Sequence, residues 1–232
     1  GLETAVGRPV EFLAIYLLQA TLYVVAAGSV ATFCAACVRM KIGARVHDRP
    51  SYPGQIRSEI TWSLGACAVI ALVVFAAIAQ MDRVAPHDWG LEIVWLLVYL
   101  VAYDFYMYVT HRALHTQAPR RFHTRHHTAV SATPWSSLNM HPVEAAINYF
   151  PLPVFAYLTP VSLIGLVAIH VYLTVGIANG HSNYSPARVD KLPFLLRELT
   201  TFHQRHHSDG RGNFGLLYTH WDWVFGTRHD QS

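Results

Sequence analysis

Charge is scarce in this chain. Asp, Glu, Lys and Arg make up 13% of 232 residues while 53% are hydrophobic, about half the charge that soluble domains usually carry. That shortage excludes an ordinary soluble globule and points to a membrane-embedded chain. The net charge of +3, with histidine neutral, is too small and too dispersed for a nucleic-acid-binding surface. Cysteine is nearly missing too. Cys34, Cys37 and Cys67 all lie in apolar runs, which argues against a disulfide scaffold or an iron–sulfur cluster. Cys34 and Cys37 form a CxxC without a second pair and read as small packing residues. Histidine is the residue in excess. Its 15 imidazoles outnumber the 14 carboxylates, so metal binding, proton chemistry or pH sensing must explain them.

Long apolar runs locate the membrane. Residues 11–38, 60–80 and 91–110 are each sufficient for a helix of about 20 residues across a hydrocarbon core of roughly 30 Å. The first is too long, and its flank too little basic, for a cleaved signal peptide. Residues 145–178 are apolar but broken by Pro151, Pro153 and Pro160, which favours two helices or a bent hairpin over one rod. These runs predict an all-α integral membrane helical bundle of three spans plus a proline-broken re-entering helix pair. It forms one domain over residues 1–232, with its transmembrane part at about 11–110 and 145–178 and a histidine-rich cap at about 111–144 and 179–232. The loop after the first span holds Arg39, Lys41, Arg45, Arg49 and Arg57, whereas residues 81–90 hold one arginine and two aspartates. The positive-inside rule puts that first loop in the cytoplasm, and threading onward brings every histidine cluster to the same side.

Three boxes contain most of the imidazole. THRALH holds His111 and His115; FHTRHH holds His123, His126 and His127; FHQRHH holds His203, His206 and His207. On a helix, positions i, i+3 and i+4 share a face, so each box presents its rings towards one point, and imidazole suits Zn, Cu, Fe and Ni. One H-x-x-x-H arises by chance or on a basic surface, but two identical H-x-x-H-H spacings beside a third box make chance a poor account. The isolated His47, His87, His170, His220 and His229 read as surface or packing residues. Asp104, Tyr108, His111 and His115 form one stripe along the third span. Asp104 is then expected to accept the free ring N–H of a ligand histidine, the other reading being a helix-end carboxylate that reaches the interface. Tyr108 and Asp222 are further candidates for supporting roles, and Asp209 either orients a ligand or is solvated.

The succession HRALH, FHTRHH, NMHPVE, NGHSNY, FHQRHH and NFGLLYTHWDWVFGT, between Asp104 and Thr227, resembles the fatty acid hydroxylase and sterol desaturase superfamily of membrane histidine-box di-iron enzymes. The resemblance implies two more ligands, His141 and His181, beside the eight box histidines. It implies two iron ions, with zinc able to fill the sites in purified protein, and O2 as co-substrate. The reaction implied is hydroxylation or desaturation of a sterol-like, fatty acyl or related apolar lipid taken from the bilayer. The fatty acid hydroxylase branch carries a paired H-x-x-x-H where this chain has His181 followed by Ser185, so the match leans to the sterol desaturase branch. No haem-binding domain is recognisable, and electrons are expected from a separate cytochrome b5-, ferredoxin- or reductase-like protein. Arg112, Arg120, Arg121 and Arg125 bind that donor or anionic headgroups, or else only set topology.

Three other signals are set aside. GRGNFG lacks the strand–helix context of a nucleotide fingerprint. The Asn183 sequon is expected to stay unmodified on the cytoplasmic side, and Gly176 and Gly180 read as close helix packing. A membrane metal transporter or sensor is the competing class, less favoured because the boxes flank the spans and transport sites lie near the midplane. A non-catalytic lipid-binding relative is the third. The oligomeric state is left open.

Overall fold

The computed structural model describes residues 2–48, 51–79, 81, 88–186 and 199–229. Among them the chain is mainly helical. Helices α1 (Leu2–Arg39), α2 (Gln55–Ala79) and α3 (Trp89–Leu114) come first, followed by the short α4 (Arg120–His123) and α5 (Pro142–Tyr149). Next are α6 (Pro151–Leu158), α7 (Leu163–Gly180), α8 (Leu199–Asp209) and α9 (His220–Val224). One antiparallel ribbon pairs β1 (Gly43–Arg45) with β2 (Tyr184–Pro186), Ala44 facing Ser185. This ribbon, unforeseen in an all-α reading, fastens the chain leaving α1 to the chain leaving α7.

Four helices are long and apolar enough to cross a membrane: Arg8–Arg39, Gln55–Ala79, Trp89–Leu114 and Leu163–Gly180. The three expected apolar runs are among them, and the chain is a multi-pass membrane protein. The proline-broken run divides as proline chemistry dictates. Pro142 and Pro151 open α5 and α6, Pro160 lies between α6 and α7, and Ser162 caps α7 by accepting from Gly165 N. At 1.5 Å per residue α6 is only about 12 Å long and α7 about 27 Å, so the pair is one short helix and one of spanning length. Residues 82–87 of the turn after α2, with Arg83 and His87, lie outside the described residues.

The outer faces stay apolar. Leu18 is 70% exposed, Val101 64% and Ile164 66%, as lipid contact permits and water would not. Inside, one core layer joins α3, α6 and α7 through Tyr99, Tyr103, Met107, Phe155, Ile169 and Leu173. Another joins α1, α2 and α5 through Tyr23, Ala27, Ala66, Cys67, Ile70 and Tyr149, where small side chains let helices approach closely. All three cysteines are buried and free, and Cys34 and Cys37 pack with Tyr184.

Two boundaries differ from the hydropathy reading. The second helix starts five residues earlier, at Gln55, and takes in a buried Glu59 whose two carboxyl oxygens are hydrogen-bonded: Gln55 Nε2 donates to Glu59 Oε1 at 2.7 Å and Thr133 Oγ1 to Oε2 at 2.6 Å. The third starts at the Asp88 cap and runs to Leu114, so that His111 rides on the last turn of a spanning helix.

Candidate metal centre

Four separated segments bring nine imidazoles to one end of the bundle. His111 and His115 come from the end of α3, His123 from α4, His126 and His127 from the 3-10 turn after it, His181 from the cap of α7, and His203, His206 and His207 from α8. They sort into two groups able to hold a metal ion. His111, His115, His123, His127 and His206 form one and His126, His181, His203 and His207 the other, with ligand atoms inside each group within 4.8 Å of one another.

The boxes interleave. His123 and His127 point into the first group while His126 joins the second; His203 and His207 point into the second while His206 joins the first. The expectation that each box faces one point is thereby corrected. Positions i and i+4 share a target and the i+3 ring crosses to the other, so each H-x-x-H-H ties both groups together.

The Nε2 atoms face one another. In the first group His111–His123 and His123–His127 are 3.0 Å apart and His115–His206 and His127–His206 are 3.1 Å; in the second His181–His203 is 3.0 Å and His126–His181 is 3.2 Å. Two nitrogens about 2.1 Å from a shared ion at about 90–100° would lie about 3.0–3.2 Å apart, the range seen here.

The opposite ring edges decide the tautomers. His111 Nδ1 faces Phe214 O at 2.8 Å, His206 Nδ1 faces Gly212 O at 2.6 Å and His181 Nδ1 faces Ile177 O at 2.7 Å. A carbonyl only accepts, so each Nδ1 donates and each Nε2 is a bare lone pair. His111 and His206 therefore bring no hydrogen to the first group, nor does His123 when its Nδ1 donates to Glu144 Oε1 2.7 Å away, and His115 and His127 can each point one at a single neighbour. Some lone pairs must face lone pairs, an arrangement that a cation between them makes favourable. Burial holds the imidazoles neutral: it pushes His115 down to about 4, His127 to about 3 and His181 to about 4. Burial, then repulsion from neighbouring rings, pushes His126, His203, His206 and His207 well below the usual range.

Glu144 was not foreseen. Its Oε1 lies 2.7 Å from His123 Nδ1, and it is 2% exposed. It is the role expected of Asp104, taken by a residue of α5. One signal was available: Glu144 is the only acidic residue between Asp104 and Asp190. Burial pushes its carboxyl well above the usual carboxylate range, a shift that a cation at the far edge of His123 would oppose.

Asp104, Tyr108 and Asp222 reach no ligand ring. Asp104 Oδ1 accepts from Leu217 N at 3.3 Å and its Oδ2 lies 3.7 Å from His220 Nε2. Tyr108 meets Thr227 Oγ1 at 3.0 Å and accepts from Arg112 Nη1 at 3.1 Å. Asp222 accepts from Phe214 N at 2.8 Å, Gly215 N at 2.6 Å and Thr227 Oγ1 at 2.7 Å. All three brace the segment whose Gly212 and Phe214 carbonyls orient His206 and His111, which explains the terminal WDWVFGT. His141 also stands outside both groups: its Nδ1 accepts from Val143 N at 3.1 Å as the cap of α5. Asp209 faces Arg211 and His229.

Two more polar residues were overlooked or misjudged. Gln204, inside the last box, accepts from Ala132 N at 2.9 Å and donates to Val130 O at 2.8 Å, tying α8 to the segment behind FHTRHH. Arg125 donates to Asn139 Oδ1 at 2.8 Å and Ser58 Oγ at 2.7 Å over the Trp62 ring, so it braces the fold, while Arg120 and Arg121 remain exposed. Asn183 is buried and its amide engages the His47 backbone, which leaves the sequon inaccessible.

Two cavities flank the histidines. A small one of about 30 Å³ lies between His111, His126 and His181 and the side chains of Tyr103, Met107 and Leu216. A polar one of about 520 Å³ is lined by His115, His127, Arg120, Asp209 and Arg211.

The chain is similar in sequence to several known proteins. The very-long-chain aldehyde decarbonylase GL1-4 of Oryza sativa subsp. japonica is 30% identical over 202 residues, which cover 81% of this chain and 32% of that protein. Human lathosterol oxidase is 23% identical over 75% of this chain and 61% of its own length. The Delta(7)-sterol 5(6)-desaturase erg3B of Aspergillus fumigatus is 27% identical over 75% and 53%. The chain thus spans about a third to three-fifths of the length of these relatives. No solved structure matches it. The family model described as Fatty acid hydroxylase matches residues 96–227, a stretch that takes in all nine clustered imidazoles, Glu144 and the bracing WDWVFGT, and the chain belongs to that family.

Proposed function

We propose that the chain is a membrane-bound non-haem di-iron oxidoreductase that uses O2 and externally supplied electrons to hydroxylate or desaturate a lipid. The observation that carries this reading is the pair of interleaved imidazole groups with their Nε2 lone pairs turned inward. His111, His115, His123, His127 and His206 would hold one ion and His126, His181, His203 and His207 the other. Bound iron would supply the O2-derived oxidant needed to attack an unactivated C–H bond.

The chain's own residues do the rest. The Gly212, Phe214 and Ile177 carbonyls and Glu144 fix four rings, so the ligand set is pre-organised. Tyr103, Met107 and Leu216 wall the small cavity on the membrane side and would keep water from the reacting carbon. The polar cavity beside His115 and His127 gives a separate electron-donor protein an approach from the other side. The basic loop after α1 favours a cytoplasmic setting for this face. Sterol-like and long-chain substrates both fit the reading, as the names of the relatives indicate.

The test is metal analysis of protein purified without added metal, joined to lipid mass spectrometry with and without O2 and reductant. Iron together with an O2-dependent gain of one oxygen or loss of two hydrogens supports the reading. Absence of iron and of any lipid oxidation under reducing conditions would falsify it.

A further inference from the structure

The last helix turns apolar side chains away from the histidine groups. Trp223, Val224 and Phe225, at the end of α9, are 69%, 55% and 48% exposed. Three consecutive exposed apolar side chains are disfavoured in water and mark a contact surface. Their neighbour Asp222 is fully buried, with its carboxylate on the Phe214 and Gly215 amides. One face of α9 therefore holds the loop beside the imidazoles, and the other is left uncovered by the chain.

The seat of α9 shows what covers that outer face. The Phe105 ring of α3 lies 4.8 Å from the Trp221 ring and 6.4 Å from Phe225, and Tyr108 stacks on Phe225 at 5.3 Å, centroid to centroid. Phe105 belongs with Val101 and Val109 to the exposed apolar face of α3, a helix of spanning length. The rings of α9 thus rest on the lipid-facing side of a membrane helix and extend it.

Charge fixes their height. Between Glu92 and His111 the only charged residue of α3 is Asp104, which is buried. The first cation beyond is the exposed Arg112, whose Nη1 donates to the Tyr108 hydroxyl at 3.1 Å. Phe105 stands seven residues before Arg112, about 10 Å lower along the axis at 1.5 Å per residue. The aromatic side chains of α9 are therefore bracketed by lipid-facing valines below and a guanidinium above, the level at which tryptophan collects at membrane–water boundaries. A soluble partner seated on α9 would have to displace lipid from the adjoining face of α3.

We propose that α9 is an interfacial membrane anchor, seated at the headgroup–acyl boundary through Trp223, Val224 and Phe225, and not part of a water-exposed cap. The bilayer then steadies, through Asp222, the loop whose Phe214 carbonyl orients His111. The inference rests on the spanning helices and not on any oxidation.

The test reads depth in nanodiscs. The native cysteines are all buried, so a single introduced thiol takes a nitrobenzoxadiazole label. Val224→Cys is compared with Val101→Cys on the lipid-facing side of α3 and with Arg121→Cys at an exposed cation. The label at position 224 should be quenched most by lipid with a nitroxide near its headgroup, at a depth of about 5–10 Å, and spared by iodide in water. An apolar label can itself pull a segment into lipid, so the native ring gives the deciding measurement. The tryptophan emission that Trp223→Phe removes should be emission quenched by lipid brominated near the headgroup and untouched by iodide. Iodide quenching of that emission, whatever the label shows, overturns the proposal, since α9 then faces water. Protection from both quenchers overturns it too, because a second copy or another protein then covers α9.

Discussion

Glu144 Oε1 and His123 Nδ1 lie 2.7 Å apart, both side chains buried, so a carboxylate from α5 holds a ring of the preceding box. Replacing Glu144 by Leu removes the only acceptor seen at that ring edge and frees the tautomer. Metal affinity of the first group should fall about ten- to a hundred-fold. Glu144→Gln, which keeps an acceptor oxygen, should lose less. Titration against a competing chelator reads both, and equal affinity in Glu144→Leu and the native chain would remove Glu144 from the account.

Asp222 accepts two backbone N–H groups and a hydroxyl around the Gly212–Thr227 loop. Asp222→Ala leaves those donors unpaired in a buried place, at a cost of about 1–3 kcal/mol for each group not rescued by water. Thermal unfolding should move down, and metal retention should weaken with it because His111 and His206 lose their carbonyl anchors. Weakened metal binding at unchanged thermal stability would contradict a bracing role.

Gly215 and Gly65 make a matched pair. A Cβ at Gly215 would collide with the Tyr218 carbonyl oxygen and come within 2.9 Å of Asp222 Oδ2, whereas one at Gly65 in α2 meets nothing within 4 Å. Gly215→Ala should destabilise by about 1–3 kcal/mol, and Gly65→Ala should be neutral or stabilise by up to about 1 kcal/mol. Unfolding midpoints in the same detergent compare the two directly, and the reverse order would refute the loop geometry.

Acid should dismantle the cluster. Unfolded imidazoles titrate near 6.5, but burial pushes His115 and His181 down to about 4 and His127 to about 3. As pH falls below about 6.5 the unfolded chain takes up protons that the folded chain refuses, so the stabilisation is complete above that pH and drains away towards about 4. Protons also compete with metal for the same lone pairs. Stability and metal retention should both drop between about pH 6.5 and pH 4; a flat profile across that window would mean that the rings are not held neutral.

The spans were legible because their apolar runs are long, and the break at Pro160 because proline cannot continue a helix. The box spacing announced groups able to hold metal but not their division in two, since a shared helix face does not say which of two targets each ring meets. Asp104 misled for a geometric reason. Seven residues before His111, it sits about 10 Å lower along α3, level with Leu217 and His220 and not with the ligand rings. His141 misled because its HPVE setting equally suits a helix cap, the role it plays. Glu144 went unread because short α5 has too few turns to show a periodicity that would mark its buried face.

The most direct test of the central claim is the iron-to-protein ratio of the native chain beside variants that empty one group each. The native chain should bind about two irons. His126→Ala/His207→Ala, from the second group, and His115→Ala/His127→Ala, from the first, should each retain about one. Loss of all iron in both variants, or a single iron in the native chain, would contradict two interleaved sites.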